Sequence, residues 1–261
     1  MPPVTAIRTG HSLPHPDPTG KHRDLRERAA AGLHATGATL AAMRWLTFDC
    51  FGTLVDWRHG IRTGAELLFP GRGEELLAGF VRHEPDVQTE HPSMRYRQVL
   101  AESLRRACAD AGLNLLEDDA QVLGVGLPFW PVFPDTRAAL AALRGSGWRL
   151  ALLTNCDRDL IAESLRRIAV PIDAVVTAED VGAYKPDRAH FDRFRSTFEP
   201  GPGEWVHVAQ SWFHDIQTAR SLDLPTVWVN RQGEDRDAAG IGAVSVRDLA
   251  GVPAALDAVL R

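Results

Sequence analysis

The fold class predicted for this chain is α/β: a doubly wound parallel sheet with an α-helical cap inserted after the first strand. Three observations predict it. Short apolar runs rich in β-branched residues recur along the chain, helical patterns alternate with them, and one long segment after the first run carries helical spacing only.

The first run, Arg44 to Asp49, ends in the turn Cys50-Phe51-Gly52-Thr53. Similar runs follow at Trp148 to Thr154, Ala174 to Thr177, Trp205 to Ala209 and Thr226 to Asn230. None alternates strictly between apolar and polar residues, as expected of strands buried on both faces. Helices are expected between them at Thr136 to Leu143, Arg158 to Ile168, Arg188 to Thr197 and Ile216 to Leu222. From about Arg62 to Trp130 apolar residues fall at helical spacing: Leu76, Leu77 and Phe80, then Val99, Leu100, Leu104 and Ala107, then Val122 and Leu123. Pro128, Pro131 and Pro134 close that segment. The expected organisation is therefore an α/β core of residues 44–61 and 131–261, with residues 62–130 as a helical cap over the carboxyl edge of the sheet. Residues 1–43 are expected to form a disordered tail, because the stretch from Gly10 to Arg28 is rich in Pro, His, Gly and charge, with a short helix from Leu25 to Leu40. Met43, immediately before the first run, is an alternative translation start.

Composition narrows the function classes. The chain has 261 residues, 44% of them hydrophobic, enough for one α/β domain with a sizeable insertion. A formal net charge of −5 and the lack of a long basic run argue against nucleic acid as a partner. No apolar stretch is long enough to span a bilayer, and the N-terminus does not read as a signal peptide. Cys50, Cys108 and Cys156 are scattered and odd in number, which suits a reducing compartment. The expectation is a cytoplasmic protein acting on a small anionic molecule, without membrane or nucleic acid; a homodimer is left open.

In open parallel sheets, ligands sit beyond the carboxyl ends of the strands. The residues there are Asp49, then Thr154 and Asn155, then Lys185 in Gly182-Ala183-Tyr184-Lys185-Pro186, then Ser211 and Asp215. Such a set can perform a substitution: a carboxylate attacks, an ammonium holds its charge, and hydroxyl and amide donors bind an anion.

These segments resemble the four motifs of the haloacid dehalogenase superfamily. Asp49-Cys50-Phe51-Gly52-Thr53-Leu54-Val55-Asp56 is similar to the first, Leu153-Thr154-Asn155 to the second and Tyr184-Lys185-Pro186 to the third. Ala209-Gln210-Ser211-Trp212-Phe213-His214-Asp215 resembles the fourth in altered form. The resemblance runs from Arg44 to about Asn230. It implies that Asp49 is the nucleophile and that Thr53 supports it. It also implies that Thr154 and Asn155 bind the substrate's anionic group, that Lys185 holds the charge of Asp49, and that Asp215 positions Lys185 or water.

Two departures narrow the implied reaction. Where the superfamily's phosphatases carry a second Asp that protonates the leaving alcohol, this chain has Phe51, which cannot do acid–base work. Where their fourth motif begins with an acidic residue that helps hold magnesium, it has Gln210. Both changes point to the L-2-haloacid dehalogenase branch, which resembles this chain in placing an aromatic residue at that position and needs no metal or other cofactor. That branch usually has Ser and Asn where Gln210 and Trp212 stand, and its tyrosine after the lysine aligns with Phe191. Its cap arginine is assigned by approximate spacing to Arg82, with Arg95 and Arg97 as rivals. Phe51, Ser211 and Trp212 complete the expected substrate-binding set, and no metal ligands are assigned.

The implied function is hydrolytic dehalogenation of a small 2-haloalkanoic acid through an aspartyl ester. The alternatives are a magnesium-dependent phosphatase and a non-catalytic binding module on the same fold. Plainer readings stand beside the chemical ones. Asp49 and Thr154-Asn155 can be turn formers, and Asp215 can cap a helix beginning near Ile216. Arg82 can be an exposed helix residue, and Phe51, Trp130 and Trp212 can be core. Cys50 and Cys156 can be small buried hydrophobes. His214 has no assigned role.

Overall fold

A computed structural model describes residues 43–260. The expected tail and its short helix, before Met43, lie outside the described residues. Six strands form one parallel sheet: β1 (Trp45–Phe48), β2 (Arg149–Thr154), β3 (Ala174–Thr177), β4 (Trp205–Ala209), β5 (Thr226–Val229) and β6 (Val244–Val246). Their order across the sheet is β3-β2-β1-β4-β5-β6. The winding direction reverses at β1, whose neighbours are β2 and β4, so a ligand crevice is expected beyond its carboxyl end. Every residue of β1, β4 and β5 is buried, which is why those runs do not alternate in sequence. The sixth strand has no counterpart in the sequence reading. It is three residues long, its central Ser245 is exposed, and only pairing with β5 at the sheet edge defines it.

Between β1 and β2 lie α1 (Trp57–Leu68), α2 (Gly73–Glu90), α3 (Tyr96–Asp110), the short α4 (Val122–Gly126) and α5 (Thr136–Gly145). Among the described residues this stretch contains no strand. The helix α1 crosses residue 62, where the sequence reading began the cap. The apolar stripes meet as their spacing requires: Leu76 and Phe80 of α2 and Val99, Leu100 and Leu104 of α3 are fully buried in one cluster. Burial of this kind contributes roughly 1.5–3 kcal/mol per large side chain. The small residue Gly79 lets α2 approach α3, since a Cβ there would lie 2.8 Å from that of Ala107. The buried carboxylate of Asp157, after β2, accepts the Tyr96 and Arg97 backbone N–H groups, so the core itself supplies the N-terminal partner of α3.

After β2 come α6 (Arg158–Ile168), α7 (Ala178–Val181), α8 (Ala189–Phe198), α9 (Gln217–Ser221) and α10 (Val252–Val259). The helix expected from Ile216 starts earlier, as a π-helical turn at Trp212–Ile216, in which the Ile216 N–H reaches the Ser211 carbonyl. Among the described residues no helix is long and apolar enough to cross a membrane. All three cysteines are free and buried.

Candidate active site

Asp49 follows β1 at the reversal point and lies on the floor of a cleft, 6% exposed. Its Oδ1 accepts the Lys185 ammonium at 2.9 Å, and its Oδ2 accepts the Thr53 hydroxyl at 2.9 Å. The tight turn after β1 makes the second contact possible. Gly52 sits at φ +103°, a conformation that glycine adopts without strain, and the chain turns back so that Thr53 faces Asp49. Thr53 Oγ1 in turn accepts the Gln210 N–H at 2.9 Å, which ties the end of β1 to the end of β4. Arg231 holds the Thr53 carbonyl from the other side and pairs with Asp135.

Lys185 is 1% exposed, and all three of its ammonium protons are engaged: by Asp49, by the Leu153 carbonyl at 2.8 Å and by Asp215 Oδ1 at 2.6 Å. Burial works against the charge of Lys185, but Asp215 and Asp49 outweigh it and its pKa lies above that of an ordinary lysine. Burial likewise opposes ionisation of Asp215. Lys185 and the hydrogen bond from His207 overcome that and hold it down at about 2. For Asp49 burial prevails over the pull of Lys185, and repulsion from Asp215 adds to it, so its pKa is raised.

The Asp215 contact continues into the sheet. His207 Nε2 lies 3.1 Å from Asp215 Oδ1, His207 Nδ1 lies 2.9 Å from the Thr47 hydroxyl, and Trp205 Nε1 donates to that hydroxyl at 2.8 Å. Thr47 and His207 are register partners on β1 and β4, which is why they meet. Asp215 does not serve as a helix cap. Ser211 does so, accepting the His214 N–H, and the π-helical turn leaves Asp215 buried against Lys185.

The cleft has a volume of about 80 Å³ and is lined by Asp49, Phe51, Trp57, Glu84, Tyr96, Asn155, Lys185, Gln210, Ser211, His214 and Asp215. That is far below the roughly 300–1,000 Å³ of pockets that take drug-sized ligands. The structure thus gathers Asp49, Thr53, Lys185, Asp215, Phe51, Asn155 and Ser211 from the expected set. It does not bring in the others. Arg82 points to solvent and pairs with Asp110, its side chain 61% exposed. Its rivals Arg95 and Arg97 pair with Asp157, Asp159 and Glu179 outside the cleft, and among the described residues no arginine lines it. Thr154 is fully buried away from the lining, and Trp212 packs on Trp228 with ring centroids 4.9 Å apart. Trp130 packs edge-on against Phe51 as core. Asn155 reaches the cleft, but its amide grips the Lys185 backbone, accepting the N–H at 2.7 Å and donating to the carbonyl at 3.0 Å. It positions the lysine and has no free amide for an anion.

Three lining residues, Trp57, Glu84 and Tyr96, were not singled out by the sequence. A signal existed for Glu84: with Gln88 it interrupts, at four-residue spacing, the stripe that runs through Leu76 and Phe80.

A family model for haloacid dehalogenase-like hydrolases matches residues 43–223. The chain belongs to that family. Among its relatives, the (S)-2-haloacid dehalogenase H-109 of Pseudomonas putida is 29% identical over 212 residues, covering 78% of this chain and 93% of the relative. The haloacetate dehalogenase H-2 of a Moraxella species is 25% identical over 195 residues, covering 72% and 86%. Among solved structures, an L-2-haloacid dehalogenase superposes with a TM-score of 0.72 at 25% identity, covering 85% of this chain and all of that one. The parallel sheet with flanking helices, read from sequence, is thus the fold of this hydrolase family.

Proposed function

We propose that this family member hydrolyses the carbon–halogen bond of a short 2-haloalkanoic acid, with residues 62–130 as its cap, Asp49 as nucleophile, and no metal or other cofactor. One observation carries the reading. The buried Asp49 carboxylate is held at both oxygens, by Lys185 and Thr53, in a cleft where Phe51 stands in place of a proton donor. Halide leaves without protonation, whereas an alkoxide does not.

In this reading an Asp49 oxygen attacks the carbon bearing the halogen, the carbon–oxygen bond forms as the carbon–halogen bond breaks, and halide departs. Water then adds to the Asp49 carboxyl carbon, the ester bond breaks, and a 2-hydroxy acid and a proton are released. The ester splits one difficult displacement into two steps. Lys185 compensates the charge of Asp49 in both. Asp215 Oδ2 and His214 Nε2, buried and without hydrogen-bond partners among the described residues, are the polar atoms available to the water. The small space limits other water. The reducing cytoplasm suits three free cysteines.

The donor set does not fit the magnesium of the phosphatase alternative. Asp49 Oδ1 and Asp215 Oδ1 are both engaged by the Lys185 ammonium, which occupies the place between them, and Gln210 offers an uncharged amide turned towards Glu234. The test is halide release from 2-chloropropionate in excess EDTA, expected at the same rate as with added magnesium. Turnover in heavy-oxygen water should place the label in Asp49. Brisk, EDTA-sensitive hydrolysis of p-nitrophenyl phosphate with no halide release would overturn the reading.

A further inference from the structure

A 2-haloacid carries a carboxylate, yet among the described residues the cleft has no arginine, and the one ammonium lining it spends all its protons on Asp49, Asp215 and a backbone carbonyl. Beside these, α2 presents a third carboxyl group, Glu84. Its Oε1 accepts two hydrogen bonds, from Gln88 Nε2 at 2.9 Å and from the Tyr96 hydroxyl at 3.2 Å. Gln88 Oε1 lies within 3.4 Å of Asn155 Nδ2, so Glu84 is braced to the same amide that grips Lys185. Glu84 Oε2 makes no hydrogen bond among the described residues. The two donors on Oε1 leave Oε2 as the carboxyl oxygen of Glu84 open to a ligand, and in the neutral acid that oxygen can carry the proton.

We propose that Glu84 reads the polar end of the substrate, as a neutral carboxyl whose Oε2–H donates a hydrogen bond to a carboxylate oxygen of the 2-haloacid. The inference rests on the dehalogenase reading and supplies the anion-recognising group that reading lacks.

Electrostatics favours the neutral form. With Glu84 ionised, three carboxylates would share one ammonium before an anionic substrate arrives, and like charges in one site raise a pKa. Burial pushes Glu84 up to about 7; the Tyr96 hydrogen bond opposes this and Asp49 adds to it. Tyr96, Tyr184, His214 and Asp215, which also face it, do not change charge near neutrality. Burial raises Tyr96 on α3 and Tyr184 before Lys185, so both stay protonated. Burial lowers His214, after β4, to about 4, so it is uncharged. Asp215 stays an anion, held down by Lys185 and His207; Asp49 shares the Lys185 ammonium with it, and His207 lies behind Asp215, away from the cleft. Since the donor is the protonated form, recognition of an anion is present below about pH 7 and lost as pH rises through it.

The experiment compares wild type, Glu84→Gln and Glu84→Leu in two readouts: halide release from (S)-2-chloropropionate, and calorimetric binding of lactate, the 2-hydroxy acid product. Both are followed over about two pH units either side of neutrality. For wild type, kcat/KM and lactate affinity should fall about tenfold per unit at high pH, mainly through KM. The Gln variant keeps a donor at every pH, so its profile should be flat. The Leu variant should lose at least about tenfold in KM and in lactate affinity at every pH, the loss of one charge-assisted hydrogen bond. Melting temperatures of both variants confirm folding. Halide release with an unchanged pH profile in the Gln variant, or an unchanged KM in the Leu variant, overturns the role of Glu84 and leaves the dehalogenase reading standing. Lactate binding that is pH-gated in wild type and flat in the Gln variant, without halide release from any haloacid, supports Glu84 and overturns the reaction. Absence of both halide release and lactate binding overturns both.

Discussion

Replacing Lys185 by methionine tests whether the buried triad is an energetic unit. Methionine keeps most of the side-chain volume and removes the charge, leaving Asp215, fully buried, and Asp49, nearly so, facing each other without a counter-ion. Removing one partner of a buried ion pair costs about 3–5 kcal/mol. In a domain of this size each kcal/mol shifts the melting temperature by about 2–4 °C, so a fall of roughly 6–20 °C at neutral pH is expected. The Asp215→Asn change removes the stranded carboxylate, and the double variant should recover part of the loss. Circular dichroism melts of wild type, both single variants and the double variant measure this coupling, expected to be at least about 1 kcal/mol. The pH dependence has a sign. In wild type the folded pKa of Asp215 is about 2, below its unfolded value, so its contribution is present above the unfolded pKa and is lost as pH falls through about 2. The Lys185→Met variant lacks that contribution, so its deficit should shrink in acid, where the carboxylates protonate. Strictly additive single-variant effects, or a deficit that is the same in acid, would refute the reasoning.

Three further outcomes are expected. Asp49→Asn should reduce halide release to background without lowering the melting temperature, because burial already disfavours the charged form there; near-normal turnover in protein shown by mass to retain the amide would remove Asp49 from its role. Gly60→Ala should cost about 1–3 kcal/mol in a denaturant melt, since the new Cβ would lie 2.3 Å from the ring of Trp130, and an unchanged midpoint would show that α1 shifts freely. Burial lowers His190 to about 3 and His214 to about 4; depressed folded pKa values give stability that is present above the unfolded pKa of 6.5 and lost as pH falls towards 4. A melting temperature that stays level over that window, or falls no less steeply in His190→Gln, would count against it.

By itself the sequence determined the alternation of five buried strands with helices, and placed Asp49, Lys185 and Asp215 at strand ends. These follow from local regularities: runs buried on both faces lose their alternation, and parallel strands deliver their carboxyl ends to one edge. Strand β6 escaped because three half-exposed residues carry no such pattern and take their form from pairing with β5. Only the tertiary structure decided what faces the nucleophile. Arg82 and Glu84 stand two positions apart on α2, about 200° around the helix, so the docking that turns Glu84 into the cleft turns Arg82 to Asp110 and solvent. Asn155 meets the Lys185 backbone, and His207 meets both Thr47 and Asp215, through contacts 30 residues or more apart along the chain in two cases and eight in the third. Helical spacing specifies which residues share a face. Which face the core receives is settled by packing Leu76, Phe80, Val99 and Leu104 together, and that packing sets the polar groups the substrate meets.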